Sequence, residues 1–314
     1  MLKIYKTDAK EKIVKKENKI TTDCWIELTS PTIDEIEKVV AKTKIDKDLI
    51  LKMLDEEELP RIEQDENSTL IVIDTPFLEE YETTHSYKTY PLGIIITNNN
   101  YVVTISPKKT NILNNFRLSK IKNFRTAKKI RFLIQILSTT AAAYQKALKQ
   151  VNKDIEIKEE TLKKSTENND LIDLLDIEKT LVYFITSLKA NDVVLEKLSK
   201  GVILPLFEED LDLLEETIIE NKQAIEMSGI YREILSSITD TYGTIVSNNL
   251  NVIMKFLAGA TIVLSIPTMF SSFMGMNVPL GPFEKDLFAF LVVVVLSTIV
   301  SLIVAIILKK KNML

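Results

Sequence analysis

The sequence predicts an α/β domain followed by a long helical stalk and two C-terminal membrane-crossing helices. Three observations carry this reading. The first 125 residues of the 314-residue chain alternate strand-like and helix-like patterns, helical periodicity then runs with few breaks to residue 274, and two long apolar runs lie near the C-terminus.

Within the first part, Cys24–Leu28, Thr69–Asp74, Gly93–Thr97 and Tyr101–Ser106 are rich in Ile, Val and Thr and read as strands. The last two are joined by Asn98, Asn99 and Asn100, whose tolerance of a left-handed backbone suits a hairpin turn. After the first strand, Ser30 is placed to cap a helix with Pro31 in its first turn, and Ile33, Ile36, Val39 and Val40 share one face of that helix.

From about Thr126 to Lys200 the periodicity is helical, with a polar break near Glu167 to Asp170 that folds the segment into a hairpin. Asp154, Glu156, Glu159, Glu160, Glu167, Asp170, Asp173 and Asp176 crowd its tip, where they form a solvated face or attract hydrated cations loosely. The next helix starts near Phe207. Phe207, Leu211, Leu214 and Ile218, and then Ile230, Ile234, Ile238, Tyr242 and Ile245, recur along it in two runs of three- and four-residue steps. Continued through the first apolar run to Met274, it is one helix of about 68 residues, roughly 100 Å at 1.5 Å per residue. That length predicts association along a stalk rather than packing within one globule.

The apolar runs, Phe256–Met274 and Leu287–Leu308, are about 19 and about 22 residues long, against the roughly 20 needed to span a bilayer core. Lys309, Lys310 and Lys311 follow the second run, and clustered lysines favour the cytoplasmic side. Two spans return the chain to its starting side. The expected organisation is therefore a cytoplasmic α/β domain (1–125), a helical hairpin (126–205), a stalk helix running into the first span (206–274), an external loop (275–286), a second span (287–308) and a basic cytoplasmic tail (309–314). The protein is expected in the cell membrane, against lipid, with both termini in the cytoplasm.

Composition excludes several functions. A net charge of −4 indicates no general nucleic-acid partner, and one Cys and one His (Cys24, His85) allow neither a disulfide framework nor a soft-metal cluster. Cys24, in an apolar run beside Trp25, reads as a small core side chain and His85 as a surface residue. With seven glycines there is little room for phosphate-cradling loops, and no catalytic triad or metalloprotease signature occurs. The chain does not read as an enzyme.

One face of the long helix stands apart. Alternate steps of three and four give Asp240, Thr244, Ser247, Asn251, Met254, Ala258, Thr261, Ser265, Thr268 and Ser272, nearly all small or polar, while Phe256, Ile262, Val263, Ile266, Phe270 and Phe273 take the other faces. Such a stripe gains nothing from lipid, so it faces protein or water. Close helix packing explains it, and so does pore lining; its continuation to Asn251, Ser247 and Asp240, beyond the apolar run, favours the pore. Two spans cannot enclose a channel, so a pore requires an oligomer in which each stripe residue becomes a ring. An Asp240 ring would favour cations, and Met254 with Leu257 would form an apolar constriction that closes by dewetting.

The first span ends in Gly275-Met276-Asn277, with the second span about ten residues on and the lysine cluster after it. This arrangement resembles the CorA family of magnesium transporters, also called Gly-Met-Asn metal ion transporters. Trp25-Ile26-Glu27-Leu28 with Pro31-Thr32, Leu59-Pro60-Arg61-Ile62-Glu63 and the stalk positions Asp240, Ser247, Asn251, Met254 and Lys255 extend the resemblance over nearly the whole chain. Departures are Met274 where tyrosine is common, and Val278-Pro279-Leu280-Gly281 where Met-Pro-Glu often follows the motif.

The resemblance implies a funnel-shaped homopentamer that carries Mg²⁺, with Co²⁺ as a further ion. In it the long helix lines the pore, the second span forms an outer ring, and Asn277 amide oxygens hold hydrated Mg²⁺ at the entrance. It also implies regulation by internal Mg²⁺ bound between neighbouring subunits, with Asp55 or Glu58 facing Asp212, Glu215 or Glu216. A zinc-, cobalt- or nickel-transporting relative is one alternative, and a non-conducting, membrane-anchored oligomeric sensor or scaffold is another.

Overall fold

The computed structural model describes residues 1–8, 13–80, 85–164, 168–276 and 287–313. Strand patterns in the N-terminal part become one mixed seven-stranded sheet. Its strands are β1 (Leu2–Thr7), β2 (Val14–Glu17), β3 (Trp25–Thr29), β4 (Arg61–Gln64), β5 (Ser68–Glu80), β6 (His85–Thr97) and β7 (Val102–Ser106), in the order β2-β1-β3-β7-β6-β5-β4. Only β3 and β7 run parallel. The β6–β7 turn is the expected one: Asn100 takes φ +64° and its N–H donates to Thr97 O.

Alternation along the strands divides the core between two faces. Leu70, Val72, Ile95, Val103, Ile26 and Leu28 pack with Ile36 and Val39 of α1 (Ile33–Thr43) and Leu49 and Ile50 of α2 (Lys47–Lys52). Ile71, Ile73, Ile94, Ile96 and Trp25 face the other way, against Phe116 of α3 (Asn114–Arg117), Phe132 and Ile136 of α4 (Lys129–Lys164) and Leu195 of α5 (Asn168–Ser199). The result is a sheet with helices on both sides. Trp25, fully buried, packs its ring against Tyr5 and Phe132 at centroid distances of 4.8 and 5.3 Å, and its Nε1–H donates to Thr104 Oγ1 at 2.8 Å. Cys24 is buried as expected.

Three local features differ from the expectation. The cap of α1 is Thr32 rather than Ser30: Thr32 Oγ1 accepts from Glu35 N–H, and Glu35 accepts in return from Thr32 N–H, a reciprocal pair that Ser30 cannot make from φ +40°. Strand β2, made of Val, Lys and Glu, lies at the sheet edge, where charged residues are tolerated, and β1 beside it alternates Lys with apolar residues, so the hydrophobic signal of both is weak. The short α2 was also not legible.

The long helix α6 (Glu208–Met274, 67 residues) forms as the periodicity predicts, and α7 (Leu287–Lys310) follows. Helix α6 continues through Pro267, which has no N–H to donate to the Val263 carbonyl. The chain divides into two units, Met1–Ile238 and Thr239–Leu314, and the division falls inside α6. In the second unit, α6 carries an 18-residue window of mean hydropathy 1.8 and α7 one of 3.2, both long and apolar enough to cross a membrane.

Candidate ion pathway

In the apolar part of α6 the shielded positions are Gly259, Ala260, Val263, Ile266, Phe270 and Met274, on one side of the helix, with Tyr242 and Val246 shielded nearer the start of this unit. On α7 they are Val293, Ser297, Val300, Ser301, Val304, Ala305 and Leu308, again on one side.

The polar stripe lies on the other side of α6. At about 100° per residue, the part of the stripe from Ala258 to Ser272 points roughly 150° away from the direction shared by Gly259, Val263, Ile266 and Phe270. Asp240, Thr244, Ser247, Asn251, Met254, Ala258, Thr261, Ser265, Thr268 and Ser272 are all exposed in the single chain, and so is Leu257. Thr261, Ser265, Thr268 and Ser272 line a groove of about 590 Å³ together with Leu264, Met269 and Phe273. Packing against α7 therefore does not account for the stripe.

The hydroxyls have a common orientation of donor and acceptor. Thr244 donates to Asp240 O at 3.1 Å, Thr261 to Leu257 O at 2.8 Å, Ser265 to Ile262 O at 2.8 Å and Thr268 to Leu264 O at 3.2 Å. Each spends its one O–H on its own helix, so what it offers outward is oxygen lone pairs. A hydrated Mg²⁺ ion presents water hydrogens, which need acceptors. The stripe supplies them without charge until Asp240.

At the end of α6, Gly275 N–H donates to Ser271 O and Ser272 O at 3.1 and 3.2 Å, and Met276 N–H to Phe273 O at 3.4 Å. Gly275 does not adopt a positive φ, and an added Cβ would meet Ser271 O and Ser272 O at 3.5 and 3.6 Å, ordinary contacts. Asn277, the third motif residue, lies outside the described residues.

Among the regulatory candidates, Asp55, Asp212, Glu215 and Glu216 are exposed. Asp55 Oδ1 accepts from Glu57 N–H at 3.0 Å, while Glu58 is engaged by Arg61, which also pairs with Glu63 at 3.1 Å. No three carboxylates gather into a metal-holding group among the described residues of one chain.

The CorA-like Mg²⁺ transporter protein family matches residues 22–310. The cobalt/magnesium transport protein CorA of Methanocaldococcus jannaschii is 31% identical over 282 residues, covering 89% of this chain and 87% of that protein. The complete structure of the CorA magnesium transporter from Methanocaldococcus jannaschii aligns with a TM-score of 0.85 at 27% identity, covering 98% of this chain and 96% of that one. The soluble domain of the same transporter aligns with a TM-score of 0.68 at 29% identity, over 76% of this chain and 95% of that one. From the mixed sheet through the 67-residue helix to the apolar C-terminal helix, this chain belongs to the family of CorA-like Mg²⁺ transporter proteins.

Proposed function

We propose that copies of this chain assemble around a common axis, five being the number the family resemblance implies, and pass Mg²⁺ into the cell through a pore lined by α6. One observation carries the reading: an exposed stripe of small and polar residues on α6, whose hydroxyls at Thr261, Ser265 and Thr268 present acceptor oxygens outward and which ends in sequence beside Gly275-Met276-Asn277. Isolated, this stripe would lie against lipid at a cost; ringed by its copies it would hold water.

In this mechanism Asn277 amide oxygens receive the hydrated ion at the external mouth. The hydroxyl rings then pass it inward without the tight grip of a carboxylate, since Mg²⁺ exchanges its inner water reluctantly. Met254 and Leu257 form the apolar constriction, whose dewetting closes the path, and the Asp240 ring draws cations toward the cytoplasmic end. A membrane potential contributes about 2.3 kcal/mol per charge per 100 mV, doubled for a divalent ion. Internal Mg²⁺ bridging Asp55 of one copy to Asp212, Glu215 or Glu216 of the next would hold the assembly closed. Asp55 is the freer acid because Glu58 is engaged by Arg61. Co²⁺ is a second permeant ion on this reading, by analogy with the relative named for cobalt and magnesium.

The test is Mg²⁺ uptake into proteoliposomes by the unaltered chain, Asn277→Ala and Asn277→Asp, over a range of internal Mg²⁺. Uptake should require Asn277 and fall as internal Mg²⁺ rises. Well-folded oligomers that conduct neither Mg²⁺ nor Co²⁺ under any gradient would leave a membrane-anchored scaffold as the better account.

A further inference from the structure

The start of α4 carries an arrangement of charge that the ion pathway does not use. Helix α4 is 36 residues long and has no acidic residue in its first turn. Its first backbone bond runs from Phe132 N–H to Lys128 O, so the amides just after Lys128 open the helix without an intrahelical acceptor. Around this positive helix end stand Arg125, Lys128 and Arg131, where cations are disfavoured by the helix dipole. The three line one cavity of about 290 Å³, with Asn123 and Glu209.

The acids present answer this charge incompletely. Arg131 Nη1 pairs with buried Asp210 at 3.1 Å, but its Nε is buried without a hydrogen-bond partner. Glu209 stands 3.6 Å from both Lys128 and Arg131 while its side chain is 76% exposed, so it can swing away without leaving a buried contact. Arg125 makes no ion pair among the described residues. Lys128, Arg131 and Glu209 also border a second cavity of about 720 Å³, whose wall includes Ile96, Leu204, Pro205 and Phe207, with Thr97 and Asn98 at its polar edge and Lys129, Glu208 and Asp210 as its other charged residues. A flat, mostly apolar body with polar rims fits that composition.

We propose that the smaller cavity binds the phosphate group of a small molecule, Glu209 being the carboxylate that stands in its place when the site is free. A nucleoside diphosphate matches the pair of cavities: phosphate on Arg125, Lys128 and Arg131, base and ribose against Pro205 and Phe207. Phosphate offers more acceptor oxygens and more charge than one carboxylate, and guanidinium and ammonium groups at a helix N-terminus are the donors it takes. Because Glu209 lies in the first turn of α6, occupancy changes the charge at the start of the long helix.

The experiment is calorimetric titration of the full-length protein, in lipid nanodiscs and Mg²⁺-free low-salt buffer, with ADP, inorganic phosphate and adenosine as separate probes. ADP should bind; Lys128→Ala and Arg125→Ala should each weaken it about fivefold or more, and Glu209→Gln should tighten it by a similar factor. All three side chains are exposed, and unchanged circular dichroism would confirm folded variants. Phosphate binding as tightly as ADP would support the anion site with free phosphate as its ligand, and ADP binding tighter would support the nucleotide. Adenosine binding as well as ADP, affinity indifferent to Glu209→Gln and Lys128→Ala, or no binding of either phosphate probe at millimolar concentration would overturn the proposal. The site lies wholly within Met1–Ile238 and the readout is binding, so failure here leaves the pore reading intact, and absence of ion flux would not affect this result.

Discussion

Arg117, at the end of α3, places Nη1 3.0 and 3.3 Å from the two carboxylate oxygens of Glu27 in the middle of β3. Glu27 is buried and Arg117 largely shielded, their side chains 3% and 11% exposed. Removing one partner strands a charge in a low-dielectric core, so Arg117→Met should destabilise the protein by about 3–5 kcal/mol. Thermal unfolding followed by intrinsic fluorescence should show a Tm loss on the order of 10 °C. Pairing it with Glu27→Gln should recover much of the loss; no recovery would mean that Arg117 acts by packing alone.

Gly93 of β6 is required by a neighbour rather than by its own backbone. A Cβ built there would lie 2.6 and 2.7 Å from Met53 Sδ and Cγ, and Met53 is fully buried under the sheet. Gly93→Ala must push Met53 out of its packing, at about 1–3 kcal/mol. Chemical denaturation should report that loss, and an unchanged midpoint would show that Met53 repacks freely.

Asp74 is held between the sheet and α5, where Ser187 Oγ donates to its Oδ2 at 2.6 Å and the hydroxyl of buried Tyr144 has no hydrogen-bond partner. Burial raises the Asp74 pKa, opposed in part by the Ser187 bond. A carboxyl that holds its proton more tightly folded than unfolded contributes stability below its unfolded pKa, and that contribution is lost as pH rises through the folded pKa. Asp74→Asn should therefore raise Tm at pH 7, with the advantage shrinking as pH falls to about 3, below the ordinary aspartate pKa of about 3.9, where the carboxyl is mostly protonated in both states. A gain that does not change between those pH values would assign the effect to packing.

The stripe and the shielded face of α6 make opposite predictions for added thiols. Cys24 is fully buried, so the unaltered chain offers no reactive background. Ser265→Cys, Thr268→Cys and Ser272→Cys should react with a charged, membrane-impermeant thiol reagent, which should cut ion uptake by most of its value. Ile266→Cys and Phe270→Cys should stay unreactive. Equal reactivity on both faces would remove the stripe from the pathway.

Much of this architecture was legible before the fold. The 67-residue α6 differs from its periodicity by one residue, because a helix without internal glycine pairs and with apolar steps of three and four has few competing conformations. The four buried strands were visible through their Ile and Val content. Strand β1 and the edge strand β2 were not, since Lys and Glu interrupt their short apolar pattern and β1 is held in the sheet by β3, further along the chain. The α1 cap was misplaced by two residues, because Ser30 and Thr32 both carry a capping hydroxyl and only the reciprocal bond to Glu35 chooses between them.

Sequence alone determined the composition break after Lys255, two apolar runs long enough to cross a membrane, the small and polar stripe and the Gly-Met-Asn motif, all properties of local composition and spacing. Tertiary structure decided which side of α6 is shielded, which acid is consumed by Arg61, and that Glu209 comes to rest beside Lys128 and Arg131. The physical reason is separation. A periodic face needs only neighbours three and four residues away, whereas a pair such as Arg131 and Asp210 exists only once packing has brought distant segments into contact.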